Sequence, residues 1–145
     1  MQLTSDAFDE GGNIPSEHTC DGADTSPSLA WSDVPDGVDS FALIVDDLDA
    51  RGFIHWVLTG IGGDVMELAA GEGDSIGTPG RNDFGRIGWG GPCPPSGEHR
   101  YRFTLYALSE PIEIAGEADA AAVRDAIRGR TVAEAELTGA YTRGG

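Results

Sequence analysis

The chain has 145 residues, enough for one domain with a buried core. Its formal net charge is −16, and all nine basic side chains are arginine, with no lysine. So acidic a chain does not suit the phosphates of nucleic acid or a broad anionic membrane surface, and no stretch approaches the roughly 18 apolar residues of a membrane span.

In chain order, a short strand is expected over 3–8, closed by the turn residues Gly11-Gly12-Asn13-Ile14-Pro15. Residues 21–31 are turn-rich at first; Leu29 and Trp31 then alternate as at the start of a strand. The apolar run 41–45 is bounded by turns and predicts a central strand buried on both faces. It leads into Asp46-Asp47-Leu48-Asp49, where Asp47 and Asp49 share a face if the chain stays extended. Such carboxylates are either a solvated strand end or part of a site. Over 53–58, alternation puts Phe53, His55 and Val57 on one face and Ile54, Trp56 and Leu58 on the other. His55 is thus a polar ring in an apolar strand and needs hydrogen-bond partners.

Residues 59–87 are rich in glycine and polar side chains and show no long helix or strand, with a local turn signal at Asn82-Asp83-Phe84-Gly85. Residues 88–101 read Gly-Trp-Gly-Gly-Pro-Cys-Pro-Pro-Ser-Gly-Glu-His-Arg-Tyr. Gly90 and Gly91 allow close backbone approach, while Pro92, Pro94 and Pro95 stiffen the segment. It is either a ligand loop or a tightly packed corner between strands. Over 99–108 the alternation places His99, Tyr101, Phe103 and Leu105 on one face, Arg100, Arg102 and Thr104 on the other. Residues 111–114 fit one more short strand. A helix is expected over 117–130, alanine-rich, acidic at its start and arginine-rich at its end. Residues 135–141 are a last strand or an extended tail. The sum is one mostly-β domain over 1–145, with two packed sheets, one C-terminal helix and long irregular loops.

Residues 1–10 lack the basic-then-apolar pattern of a signal peptide, so the cytoplasm is the expected location. The acidic, lysine-free composition resembles that of proteins from salt-accumulating halophiles, in which high salt screens self-repulsion. Cys20 and Cys93 make neither a disulfide framework nor a Cys-x-x-Cys pair, and they can pair only if their loops meet.

The polar residues near strand ends are Asp47, Asp49, His55, His99 and Tyr101, together with the Gly90 and Gly91 amides. Three chemistries compete. Imidazoles, a phenol and loop amides suit a small anion, with Asp47 orienting His55 or receiving an amine. Two histidines and one or two aspartates suit a metal hydrolase, but no compact ligand motif is present. Cys93 with His99 or His55 suits a nucleophile, although Cys93 lies between prolines rather than at a helix N-terminus.

Five segments in order resemble the phosphatidylethanolamine-binding protein family, and within it the small bacterial and archaeal branch described as Raf-kinase-inhibitor-like. They are Asp24-Thr25-Ser26-Pro27-Ser28-Leu29-Ala30-Trp31, then Asp47-Leu48-Asp49-Ala50, then His55-Trp56-Val57. The fourth is Gly91-Pro92-Cys93-Pro94-Pro95 with Gly97, His99, Arg100 and Tyr101, and the last is Ala135-Glu136-Leu137 with Gly139, Tyr141 and Arg143. The resemblance implies a β-sandwich whose small anion pocket is lined by Asp47, His55, Gly91, Pro95, His99 and Tyr101, with Asp49 in the same signature. Leu48 and Arg51 stand where the family signature has prolines, which implies a less rigid loop after Asp47 and an Arg51 able to reach over the pocket. The expected function is binding of a small phosphate-bearing or other anionic ligand, with no enzymatic activity, cofactor or metal. The alternative is an interaction module that restrains a kinase or protease; a protein partner or a homodimer is compatible with either reading.

Overall fold

Strand β3 (Ser40–Asp47) is buried along nearly its whole length, because it has a layer on each side. In the computed structural model, which describes residues 1–143, β3 is the middle strand of a five-stranded antiparallel sheet. It is flanked by β4 (Phe53–Gly62) and β7 (Gly97–Leu108), with β6 (Thr78–Pro79) and β8 (Thr131–Arg143) at the edges. A smaller sheet of β1 (Gln2–Thr4), β2 (Leu29–Ser32) and β5 (Glu67–Leu68) covers one face. Between the sheets lies the main core, with Trp31, Phe41, Leu43, Trp56, Phe103 and Leu105 in it. On the opposite face, Ala42, Ile44 and Val57 pack under the helix α2 (Ala120–Ala126) through Ala120, Val123 and Ile127. The expected sandwich with a central, doubly buried strand is therefore observed.

Alternation breaks at one place that matters. Val45 pairs with Trp56, but Asp46 pairs with Ile54, so His55 is an extra residue in β4. This bulge puts Ile54 and Val57 together in the helix-side core, while Trp56 and Leu58 enter the core between the sheets. The strict two-face assignment of residues 53–58 is corrected accordingly. Bulges commonly re-aim a side chain.

Other bounds also differ from expectation. The first strand stops at Thr4, and Phe8 is buried in irregular chain beyond it. Residues 111–114 form no strand; Ile112 and Ile114 instead pack against the helix-side core. The helix is shorter than 117–130 because Glu117 has φ 65° and Asp119 is extended, its carboxylate accepting a 2.9 Å bond from the Ala122 amide. Gly129, at φ 80°, closes the turn after it. The last segment is a strand, paired with β7 from end to end. Residues 59–87 contain the end of β4, the short strands β5 and β6, and a four-residue helix α1 (Gly73–Ile76).

Candidate functional site

The C-terminal end of β3 and the N-terminal ends of β4 and β7 meet at one end of the large sheet, where Asp47 pairs with both Phe53 and Tyr101. A cavity of about 250 Å³ opens there on the face toward the small sheet. Asp47, His55, His99 and Tyr101 line it together with Ala50, Phe53, Phe84, Cys93, Pro94 and Pro95, and most of its surface is apolar. Three antiparallel strands and one bulge thus bring together residues up to 54 positions apart in sequence, from Asp47 to Tyr101.

Each ring nitrogen that faces the protein is spoken for. The Nδ1 atom of His55 donates to the Gly90 carbonyl at 2.6 Å, and the Gly90 amide donates back to the His55 carbonyl at 3.0 Å. The other nitrogen, Nε2, is thereby left available to a ligand. The Nδ1 atom of His99 contacts Asp47 Oδ2 at 2.6 Å, which likewise leaves its Nε2. Asp47 Oδ1 accepts the Asp49 amide at 2.7 Å. The carboxylate therefore orients His99, and the backbone of Gly90 orients His55. The expected Asp47–His55 pairing is corrected.

Burial lowers the pKa of His55 below the ordinary 6.5, against the opposing pull of the Gly90 carbonyl and the Asp47 charge. Burial thus favours the neutral ring. Tyr101 is 1% exposed, and its hydroxyl has no hydrogen-bond partner. Burial, then the charge of Asp47, raises its pKa, so it remains a proton donor. His55 meets Tyr101 edge-on at 5.1 Å between ring centroids, and Phe84 meets His55 edge-on at 5.3 Å.

Three expected residues stand back from the cavity. The Gly91 amide donates to Asp24 Oδ1 at 2.9 Å, and the Gly90 amide is taken by His55, so neither meets an anion. Their smallness has another cause: a Cβ on Gly90 would sit 2.6 Å from the Phe84 ring, and one on Gly91 would collide with Asp24 and the His18 carbonyl. Asp49 faces outward, where Arg100 holds its carboxyl below the usual range through two side-chain bonds of 3.1 Å and a backbone bond of 2.8 Å. Pro95 does line the cavity. Phe84, Ala50 and Pro94 were missed, because apolar residues on loops carry no sequence signal that separates a wall from a core; Phe53, in β4, was read only as sharing a face with His55.

Backbone hydrogen bonds close the loop after Asp47, where the family prolines are missing. The Leu48 amide donates to the Arg100 carbonyl at 2.8 Å, a bond proline cannot make. Arg51 has φ 55°, which proline cannot adopt. The Ala50 and Gly52 amides both donate to the Asp47 carbonyl, at 3.3 and 3.0 Å.

The loops of Cys20 and Cys93 do meet. The two residues form a disulfide with Cα atoms 5.4 Å apart, and the Cys20 amide donates to the Pro92 carbonyl at 3.1 Å. This removes Cys93 as a nucleophile and makes it a wall. Among the described residues, no three or more His, Cys, Asp or Glu side chains are grouped to hold a metal ion. No described helix is long and apolar enough to cross a membrane.

A β-sandwich with a small, largely apolar cavity at one end of its larger sheet is the class that fold and site define. The family model described as phosphatidylethanolamine-binding protein matches residues 4–142, and the chain belongs to that family. A UPF0098 protein of Methanothermobacter thermautotrophicus is 43% identical over 151 residues, covering 99% of this chain and all of the relative. The solved structure of CT736 from Chlamydia trachomatis, described as a homologue of the same family, superposes with a TM-score of 0.92 at 37% identity, covering 98% of this chain and 97% of that one. Escherichia coli YbcL, described as a new member of the mammalian family, superposes with a TM-score of 0.88 at 35% identity, with 97% of each chain covered.

Proposed function

We propose that this protein binds a small phosphate-bearing ligand in the cavity and does no chemistry on it. The observation that carries the reading is the unpartnered Tyr101 hydroxyl, buried beside two imidazoles whose Nδ1 atoms are already fixed. A buried polar group without a partner costs free energy that a ligand oxygen would recover. Tyr101 Oη and the Nε2 atoms of His55 and His99 would contact phosphate oxygens. Asp47, already bonded to His99, would hold that ring in place. The apolar walls exclude water and strengthen these contacts. They also limit the affinity, because a phosphate-sized group has few atoms. The −16 charge favours a working medium of high salt, in which distant carboxylates no longer repel the ligand.

The proton balance gives a test. With Nδ1 committed to Gly90, neutral His55 offers a lone pair at Nε2, which repels a phosphate oxygen. Binding must bring a proton, either onto Nε2 or with the phosphate. Affinity should therefore rise as pH falls, over a window that reaches below 6.5 because the His55 pKa is lowered. Calorimetric titration of phosphate and phosphoethanolamine from about pH 5 to 8, in molar KCl, measures this. The expected result is saturable binding that weakens with pH and drops at least tenfold in His55→Ala, roughly the 1.4 kcal/mol of one charge-assisted bond. A pH-independent affinity that is also unchanged in His55→Ala would remove His55 from the site.

A further inference from the structure

Nine arginines face 25 carboxylates in this chain, so an exposed arginine readily finds an acid. Seven do: Arg81, Arg100, Arg102, Arg124, Arg128, Arg130 and Arg143 each lie within ion-pair distance of an aspartate or glutamate. Among the described residues, Arg51 and Arg86 form no such pair. Each adjoins a wall residue of the cavity that holds the imidazoles and the phenol. Arg51 follows the wall residue Ala50, in the turn fixed by the Asp47 carbonyl. The Arg86 guanidinium lies over the ring of the wall residue Phe84, 5.2 Å from its centroid.

The placement of Arg86 is built. Asn82 is 2% exposed, accepts the Phe84 and Arg86 amides at 3.0 and 3.1 Å through Oδ1, and donates to the Gly88 carbonyl at 2.9 Å. One buried amide thus positions both the wall and the cation on it. A guanidinium stacked on a ring keeps its N–H edge open to an anion.

We propose that Arg51 and Arg86 form a second anionic subsite at the mouth, so that the ligand class is a phosphate ester with a further anionic group, such as a carboxylate, close to its phosphate. This rests on the phosphate reading of the cavity. The cavity itself has no arginine in its lining and one carboxylate, so it takes a single phosphate without strong charge selection. The rim supplies the selection. A second anion would meet two cations that have no intramolecular carboxylate to release first.

O-phosphoserine and phosphoethanolamine differ by one carboxylate and test the subsite directly. Equilibrium titration of both compounds is run with the wild type, with the Arg51→Asn/Arg86→Gln double variant, and with Arg128→Gln, which removes a positive charge from the turn after α2. Asn tolerates the left-handed φ at position 51. The wild type and Arg128→Gln should prefer phosphoserine about fivefold, and the double variant should bind the two compounds alike, in line with partly exposed ion pairs. Equal affinities in the wild type, or a preference that survives in the double variant, would overturn the subsite while leaving the cavity assignment intact. Binding of neither compound would overturn both.

Discussion

Asp46 and Asp47 are neighbours in sequence, both almost fully buried, and they lead opposite lives. Asp46 faces the helix side. Arg102 takes both of its oxygens, at 3.1 and 2.8 Å, and Arg124 from α2 approaches to 3.9 Å. Both carboxylate oxygens there have a partner within the protein, so neither remains for a ligand. Asp47 faces the small sheet, where its partner His99 retains a free ring nitrogen and the adjacent Tyr101 hydroxyl has no partner at all. Two carboxylates of equal burial thus do different work, and the difference lies in the saturation of the groups around them. Burial alone does not distinguish a structural ion pair from a site.

The largest test of this contrast concerns how the open side is held. The cavity wall at Cys93 is tied covalently to Cys20, across a separation of 73 residues. Closing a loop of that length is worth about 4 kcal/mol in the chain-entropy model. Cys20→Ser/Cys93→Ser should lose about that much in denaturant melts, and phosphate affinity should fall with it because the wall is released. A variant that melts like the wild type would show that the loop is held by its backbone bonds instead. A second test strikes the saturated side. Arg102→Ala strands the Asp46 carboxylate with only the more distant Arg124, and should cost about 2 kcal/mol. Phosphate affinity should be unchanged, because the damage lies on the other face of the sheet. Lost affinity would mean that the two faces are coupled, and the contrast would fail.

Much of the open side was legible in the sequence. Unbroken alternation in β7 sets Tyr101 beside Phe103 on the inner face and Arg102 on the outer one, as a period of two requires. Asp47 follows from Val45 by the same rule. His55 was legible as a polar ring needing partners, but not which partner, because the bulge that redirects it depends on register with β3. Gly90 and Gly91 were legible as places of close approach. Their amides were misassigned, since an amide's partner across 35 or 67 residues leaves no trace in local pattern. The disulfide was open for the same reason: it required two loops to meet.

The smallest expected effect is the most discriminating. Replacing a buried, hydrogen-bonded tyrosine by phenylalanine ordinarily costs about 1 kcal/mol or more, because a bond is lost. Tyr101 forms no such bond with another protein group, so Tyr101→Phe should change stability by less than about 0.5 kcal/mol, in either direction. The same substitution should weaken phosphate binding about fivefold, roughly 1 kcal/mol, because the hydroxyl donates only when an anion is present. Thermal melts and titrations of one variant therefore separate the two roles. A stability loss above 1 kcal/mol without a change in affinity would mean that Tyr101 belongs with Asp46, among the saturated groups. Unchanged stability with weakened binding would place its hydroxyl in a site kept unsaturated until the ligand arrives.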